Sequence, residues 1–183
     1  DKEKYGDDRK TQIVPEQGEV TIEDLTPNTQ MAVFITHQGY LKRISLDTFE
    51  RQNRATRGKA GMKTKDDDDI QHFFTAMMHD KVLFFSSKGI VYSLNVYDFP
   101  EGGRQSKGLP IVNVLPIEQG ERITAVVPVS NFSHDLNLIM LTQKGYIKRI
   151  ELDNFASIRR SGIIAISLEE GDKLNWVKLA NPN

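Results

Sequence analysis

Met31–Ile44 reads MAVFITHQGYLKRI, and its shape returns as KVLFFSSKGIVYSL at Lys81–Leu94 and as NLIMLTQKGYIKRI at Asn137–Ile150. Each stretch is an apolar run, a short polar turn ending in glycine, and a second run that partly alternates. That pattern specifies a β-hairpin. The turn glycines are Gly39, Gly89 and Gly145, where a backbone with positive φ is expected.

The copies agree beyond the hairpin. Ten residues after each glycine stands a phenylalanine (Phe49, Phe99, Phe155), and five later an arginine (Arg54, Arg104, Arg160). A further glycine follows at Gly58, Gly108 and Gly162. Later strand candidates are Ile70–Ala76, Ile123–Val129 and Leu174–Leu179. No stretch is a convincing amphipathic helix. An ordered repeat with near-fixed offsets is the mark of a blade array. The fold expected is therefore all-β: propeller-like blades of about four antiparallel strands, about three in number, over residues 30–80, 81–135 and 136–183. Residues 1–29 do not repeat and read as a lead-in or linker, with Glu19–Leu25 expected as a short strand.

Composition sets outer limits. Of 183 residues, 38% are hydrophobic, as in ordinary globular proteins, and none is cysteine. The missing thiol excludes disulfides, cysteine-ligated zinc and a cysteine nucleophile. No apolar run approaches the roughly 20 residues of a membrane helix. The charged opening Asp1-Lys2-Glu3-Lys4 does not read as a secretory signal. The net charge of -1 hides an uneven distribution. Residues 1–24 carry eight acidic and four basic side chains, whereas between Lys42 and Lys65 eight basic residues stand against Asp47 and Glu50. Phosphate responds to the local patch rather than to the whole-chain average.

Basic residues fall at two places in the repeat. One is the second hairpin strand, with Lys42-Arg43 and Lys148-Arg149 but Tyr92-Ser93 in the middle copy. The other is the loop after the phenylalanine, with Arg51, Arg54, Arg57 and Lys59, then Arg104 and Lys107, then Arg159 and Arg160. Equivalent positions in a blade array lie at equivalent points on its rim, so the loops draw an interrupted cationic track. Such a track neutralises phosphates with little sequence preference. No segment resembles a recognition helix for the major groove.

The GYLKR and GYIKR hairpins, together with the basic glycine-containing loop, resemble the C-terminal domain of the A subunit of bacterial-type DNA gyrase. Tyr5–Ile13 is similar to the stretch that follows the breakage–reunion region in that family. The stretches HDKVLFFSSKGIVYSL and GGRQSKGLPIVNVLPIEQGERI are similar to its second blade, and Asn154–Ile166 with Asp172–Trp176 to its third. The resemblance implies a β-pinwheel whose blades exchange hairpins with their neighbours. The family wheel has about six blades, so a truncated wheel is implied here, with self-association or a partner fragment covering its open edge. The family's basic box, Gln-basic-Arg-Gly-Gly-basic-Gly, has its counterpart in Ala55–Gly61. Arg57, Gly58, Lys59 and Gly61 match it loosely, and the leading Gln and double glycine are missing.

The resemblance further implies that duplex DNA wraps around the rim, supporting ATP-dependent negative supercoiling by the whole enzyme. Expected phosphate contacts are Lys42, Arg43, Arg54, Arg57, Lys59, Arg104, Lys107, Lys148, Arg149 and Arg160. The implied partners are duplex DNA, the gyrase B subunit, and the rest of the gyrase A subunit. The implied location is the bacterial cytoplasm, at the nucleoid, or a plastid. No catalytic site, metal or cofactor is expected in this stretch, because ATP and Mg2+ act elsewhere in the holoenzyme. The alternatives are the C-terminal domain of the topoisomerase IV A-type subunit, which shares the blade, and a propeller-like protein-interaction module. An enzyme on a β-array ranks below both for want of a site.

Other signals read as structure. Gly58–Thr64 lacks the spacing of a phosphate-binding loop. Asp66–Asp69 reads as a solvated turn. His37, His72, His79 and His134 lack zinc-ligand spacing.

Overall fold

The computed structural model describes residues 20–49, 68–103 and 105–180. The hairpins form as the repeat predicts. In the first, β1 (Gln30–Thr36) pairs antiparallel with β2 (Tyr40–Ser45). In the second, β4 (Lys81–Ser86) pairs with β5 (Ile90–Asn95). In the third, β8 (Asn137–Thr142) pairs with β9 (Ile147–Glu151). The turn glycines take φ of +84°, +77° and +91° at Gly39, Gly89 and Gly145. Each glycine N–H closes its turn on the carbonyl three residues earlier, at 3.0 Å. A further strand flanks each hairpin: β3 (Ile70–Met77), β7 (Ile123–Val129) and β11 (Leu174–Ala180). They pair with β1, β4 and β8 respectively.

The fourth strand comes from the following unit. β6 (Leu109–Pro110) pairs with β2, and β10 (Ile163–Ile164) pairs with β5. The sheet orders are thus β3-β1-β2-β6, β10-β5-β4-β7 and β11-β8-β9. Successive units are stitched together by strand exchange. β11 packs against β7. β6 and β10 lie on the sheet edges opposite β3 and β7.

Burial explains the continuous apolar runs. Met31, Val33 and Ile35 of β1 join Val82 and Phe84 of β4 in one core between the first two sheets. Leu83 and Phe85 on the other face of β4 join Leu138 and Met140 in a second core. A strand buried on both faces has no polar side to show. The in-phase phenylalanines anchor the chain as it leaves each hairpin. Phe99 packs on Phe84 and Phe155 on Phe85, with ring centroids 6.0 and 6.1 Å apart, and Phe49 on Phe34 at 5.8 Å.

Two local expectations are corrected. Within the expected Glu19–Leu25 strand, Ile22–Leu25 forms a short helix, α1. Thr21 and Asp24 close a capping box, each side chain accepting the other's backbone N–H, and this satisfies donors that a strand would have to place in a ladder. The acidic run is not wholly solvated either. Asp68 is buried and accepts the Gln38 N–H at 3.0 Å. Asp172 occupies the corresponding place in the third unit, accepting the Lys144 N–H at 2.9 Å. Burial opposes the Asp172 carboxylate, but hydrogen bonds from Thr142, Lys144 and Lys173 outweigh it and hold the group below the usual carboxylate range.

Candidate nucleic-acid interface

Both described basic loops run from a 3-10 turn to an exchanged edge strand. The chain leaves β5 through Val96–Asp98, buries Phe99, and reaches β6 through a loop that contains Lys107. It leaves β9 through Leu152–Phe155 and reaches β10 through a loop with Arg159 and Arg160. The geometry puts the two loops at equivalent points, beside the β6 and β10 edges of successive sheets. Lys107 and Arg160 are exposed. Arg159 is also exposed, and its Nε donates to the Gly162 carbonyl at 3.0 Å, which fixes the fork of the turn. Gly162, at φ +79°, allows that turn.

The hairpin basic pairs divide differently. Lys42 is fully buried and does not face solvent. Its Nζ donates to the Gly103 and Ser106 carbonyls at 2.8 and 2.9 Å, and lies 5.7 Å from the Phe34 ring centre. Burial pushes its ammonium down to about 8. This corrects the expectation of a Lys42–phosphate contact, because an enclosed ammonium bonded to backbone carbonyls cannot reach DNA. Arg43 is likewise engaged. Its Nε donates to the Phe99 carbonyl at 2.9 Å, and its Nη1 pairs with Glu101 at 3.3 Å. In the third unit Lys148 is half-buried and donates to the Ala165 carbonyl at 2.8 Å, whereas Arg149 is exposed on β9. Arg54, Arg57, Gly58, Lys59, Gly61 and Arg104 lie outside the described residues.

The sequence reading missed the position that supports each loop. Tyr92 of β5 stands opposite Phe84 as Lys42 stands opposite Phe34. It is buried beneath Gly162, where an added β-carbon would lie 2.9 Å from the tyrosine ring. Its hydroxyl donates to Glu121 at 3.0 Å. Burial, then the hydrogen bond and charge of Glu121, drive the Tyr92 phenol above its ordinary range. The signal was present in the equal spacing of Lys42 and Tyr92 from Gly39 and Gly89, but the difference in charge concealed it.

Other clusters are structural in character. A recess of about 340 Å³ between the first two sheets is lined by His72, Glu121 and Ile123 among others. Its acid, Glu121, already accepts the Tyr92 hydroxyl and the Glu118 N–H. His134 donates to Asp153 at 2.6 Å, with Glu151 nearby on the surface.

Comparison with known proteins places this geometry. The family model described as "DNA gyrase C-terminal domain, beta-propeller" matches residues 30–76, 80–130 and 136–181. The chain belongs to the DNA gyrase C-terminal domain family. The DNA gyrase A subunit of Synechocystis is 54% identical over 172 residues, 94% of this chain and 20% of the relative. That of Halalkalibacterium halodurans is 46% identical, over 98% of this chain and 22% of the relative. The chloroplastic/mitochondrial gyrase A subunit of Nicotiana benthamiana is 44% identical across the whole chain and 20% of the relative. The chain thus spans about one-fifth of these curated relatives. Among solved structures, the C-terminal domain of DNA topoisomerase IV superposes with a TM-score of 0.75 at 25% identity, over 85% of this chain and 47% of that one. The DNA gyrase A C-terminal domain superposes at 0.57 and 22% identity, over 83% of this chain and 48% of that one, a likeness of fold. The exchanged strands and in-phase hairpins are therefore the blades of a gyrase-type pinwheel.

Proposed function

We propose that this chain binds duplex DNA without sequence preference and wraps it along the outer rim, as the DNA-wrapping part of a gyrase A subunit. In that role it supports ATP-dependent negative supercoiling by the holoenzyme, together with the B subunit and the rest of the A subunit. It does so in the bacterial cytoplasm or a plastid. The observation that carries this reading is the equivalence of the two basic loops. Lys107 before β6 and Arg159-Arg160 before β10 recur beside the β6 and β10 edges of successive sheets. A duplex following the rim meets cations at each seam. Bending it costs of order 1–6 kcal/mol by elastic estimates, which many phosphate contacts together offset.

The gyrase reading is favoured over topoisomerase IV by the gyrase family model, which matches most of the chain, and by the 54% and 46% identities to gyrase A subunits. The edge of β9, with Ile147 72% exposed, supports self-association of the chain, and light scattering at high concentration tests that. Gel-shift titration of duplex DNA against salt tests binding. Micromolar or tighter affinity with a steep salt slope supports the reading, and indifference to DNA at low salt overturns it.

A further inference from the structure

Lys42 and Arg43 belong to the first hairpin, yet their polar atoms are directed at the second unit. The Arg43 N–H donates to the Pro100 carbonyl at 2.9 Å, and the Gly102 N–H donates back to the Arg43 carbonyl at 3.0 Å. The Arg43 guanidinium holds the Phe99 carbonyl and Glu101 from the side. The Lys42 ammonium holds Gly103 and Ser106 from beneath. Every residue from Phe99 to Gly103, and Ser106 beyond them, is thereby fixed to β2. Gly102 leaves room for this clasp, since an added β-carbon would strike Ser106 Oγ and lie 3.4 Å from Lys42 Cδ. Gly108 closes it, with φ +78° and no space for a side chain over the Leu41 carbonyl.

The middle unit gives an independent reading of the position. There Tyr92 replaces Lys42 and supports the next loop under Gly162 without a cationic group. A site that accepts either a lysine or a tyrosine serves as a post beneath a loop. It does not serve as a phosphate contact.

We propose that Lys42 and Arg43 are positioning residues that lock the described part of the following unit's basic loop, residues 99–103 and 105–108, onto the edge of the first sheet, so that the hairpin of one unit sets the DNA contacts of the next. The DNA half of this proposal rests on the wrapping function above, and the loop half does not. The first two hairpins then serve as moulds for the contact loops of their downstream neighbours. Removing the first mould loosens its loop and leaves the loop before β10 in place.

The test is hydrogen exchange joined to a double-mutant cycle. Lys42→Met and Arg43→Gln are compared with the unaltered chain, first without DNA. Exchange at the Arg43 and Gly102 N–H groups is expected to accelerate at least tenfold, while the Gly162 N–H, held by the Arg159 carbonyl at 2.8 Å, keeps its protection. Unchanged protection at Gly102, or equal loss at Gly162, overturns the proposal. Duplex affinity is then measured for Lys42→Met, Lys107→Ala and the pair. Weakening that is smaller in the pair than the sum of the singles supports action through the loop, and fully additive weakening overturns it. Where Lys42→Met does not fold, Arg43→Gln with Lys107→Ala carries the same comparison. If the unaltered chain ignores DNA, the wrapping function fails and the exchange result alone decides the loop clasp.

Discussion

Replacing Gly89 with alanine should destabilise the chain far more than the same change at Gly145, although both close equivalent turns. Both have positive φ, +77° and +91°, and a side chain there costs roughly 1–2 kcal/mol. At Gly145 an added β-carbon meets no heavy atom within 4 Å, so the backbone strain is the whole effect. At Gly89 it runs into the Ile166 carbonyl oxygen and lies 3.2 Å from Ile166 Cγ2 and 3.3 Å from Leu168 Cγ. Relief requires moving the segment beside β10, whose Ala165 and Ile166 N–H groups donate to the Gly89 carbonyl at 2.8 and 3.2 Å. Each hydrogen bond lost costs about 1 kcal/mol. The expected losses are therefore roughly 1–2 kcal/mol for Gly145→Ala and roughly 3–4 kcal/mol for Gly89→Ala. Urea unfolding followed by circular dichroism compares the two directly. Equal losses would refute the argument that the Gly89 turn bears the strand exchange between the second and third units.

Further outcomes follow from individual side chains. Arg160→Ala and Lys107→Ala should each weaken duplex binding modestly and lower the slope of log affinity against log salt by about 0.9, read by titration at several salt concentrations. Lys42 gives a pH dependence. Its folded value of about 8 lies below the ordinary 10.5, so above pH 8 the unfolded chain holds more protons. Stability should rise with pH between about 8 and 10.5, and Lys42→Met, compared at each pH, should lack that rise. Tyr92→Phe should cost about 1–2 kcal/mol in thermal or urea unfolding, because the Glu121 carboxylate loses a charge-assisted hydrogen bond.

The parts of the fold that obey short-range rules were legible in the sequence. Glycine spacing located the three hairpins, and the apolar segments at Ile70, Ile123 and Leu174 located the strands beside them. Exchange between units was implied by the family resemblance, but the positions of the exchanged strands were not legible, because β6 and β10 are two residues long and carry no periodicity. What fixes them is a partner one unit away. The site divided along the same line. Lys107 and Arg160 stand in loops, where charge normally means exposure, and both are exposed. Lys42 and Arg43 stand on a strand covered by a distant loop. The carbonyls that take the Lys42 ammonium lie 61 and 64 residues away in sequence. Alternation along β2 cannot announce them. Asp68 was hidden in the same way, because an acidic run gives no hint that one carboxylate turns inward to the Gln38 N–H.

The most direct test of wrapping is the linking number of closed circular DNA relaxed by a nicking-closing enzyme in the presence of the chain. DNA following the rim with a fixed hand leaves a shift of one sign that grows with the ratio of protein to plasmid. Relaxation to an unchanged linking number, at concentrations where gel shifts show the plasmid fully bound, would contradict chiral wrapping while leaving the phosphate contacts intact.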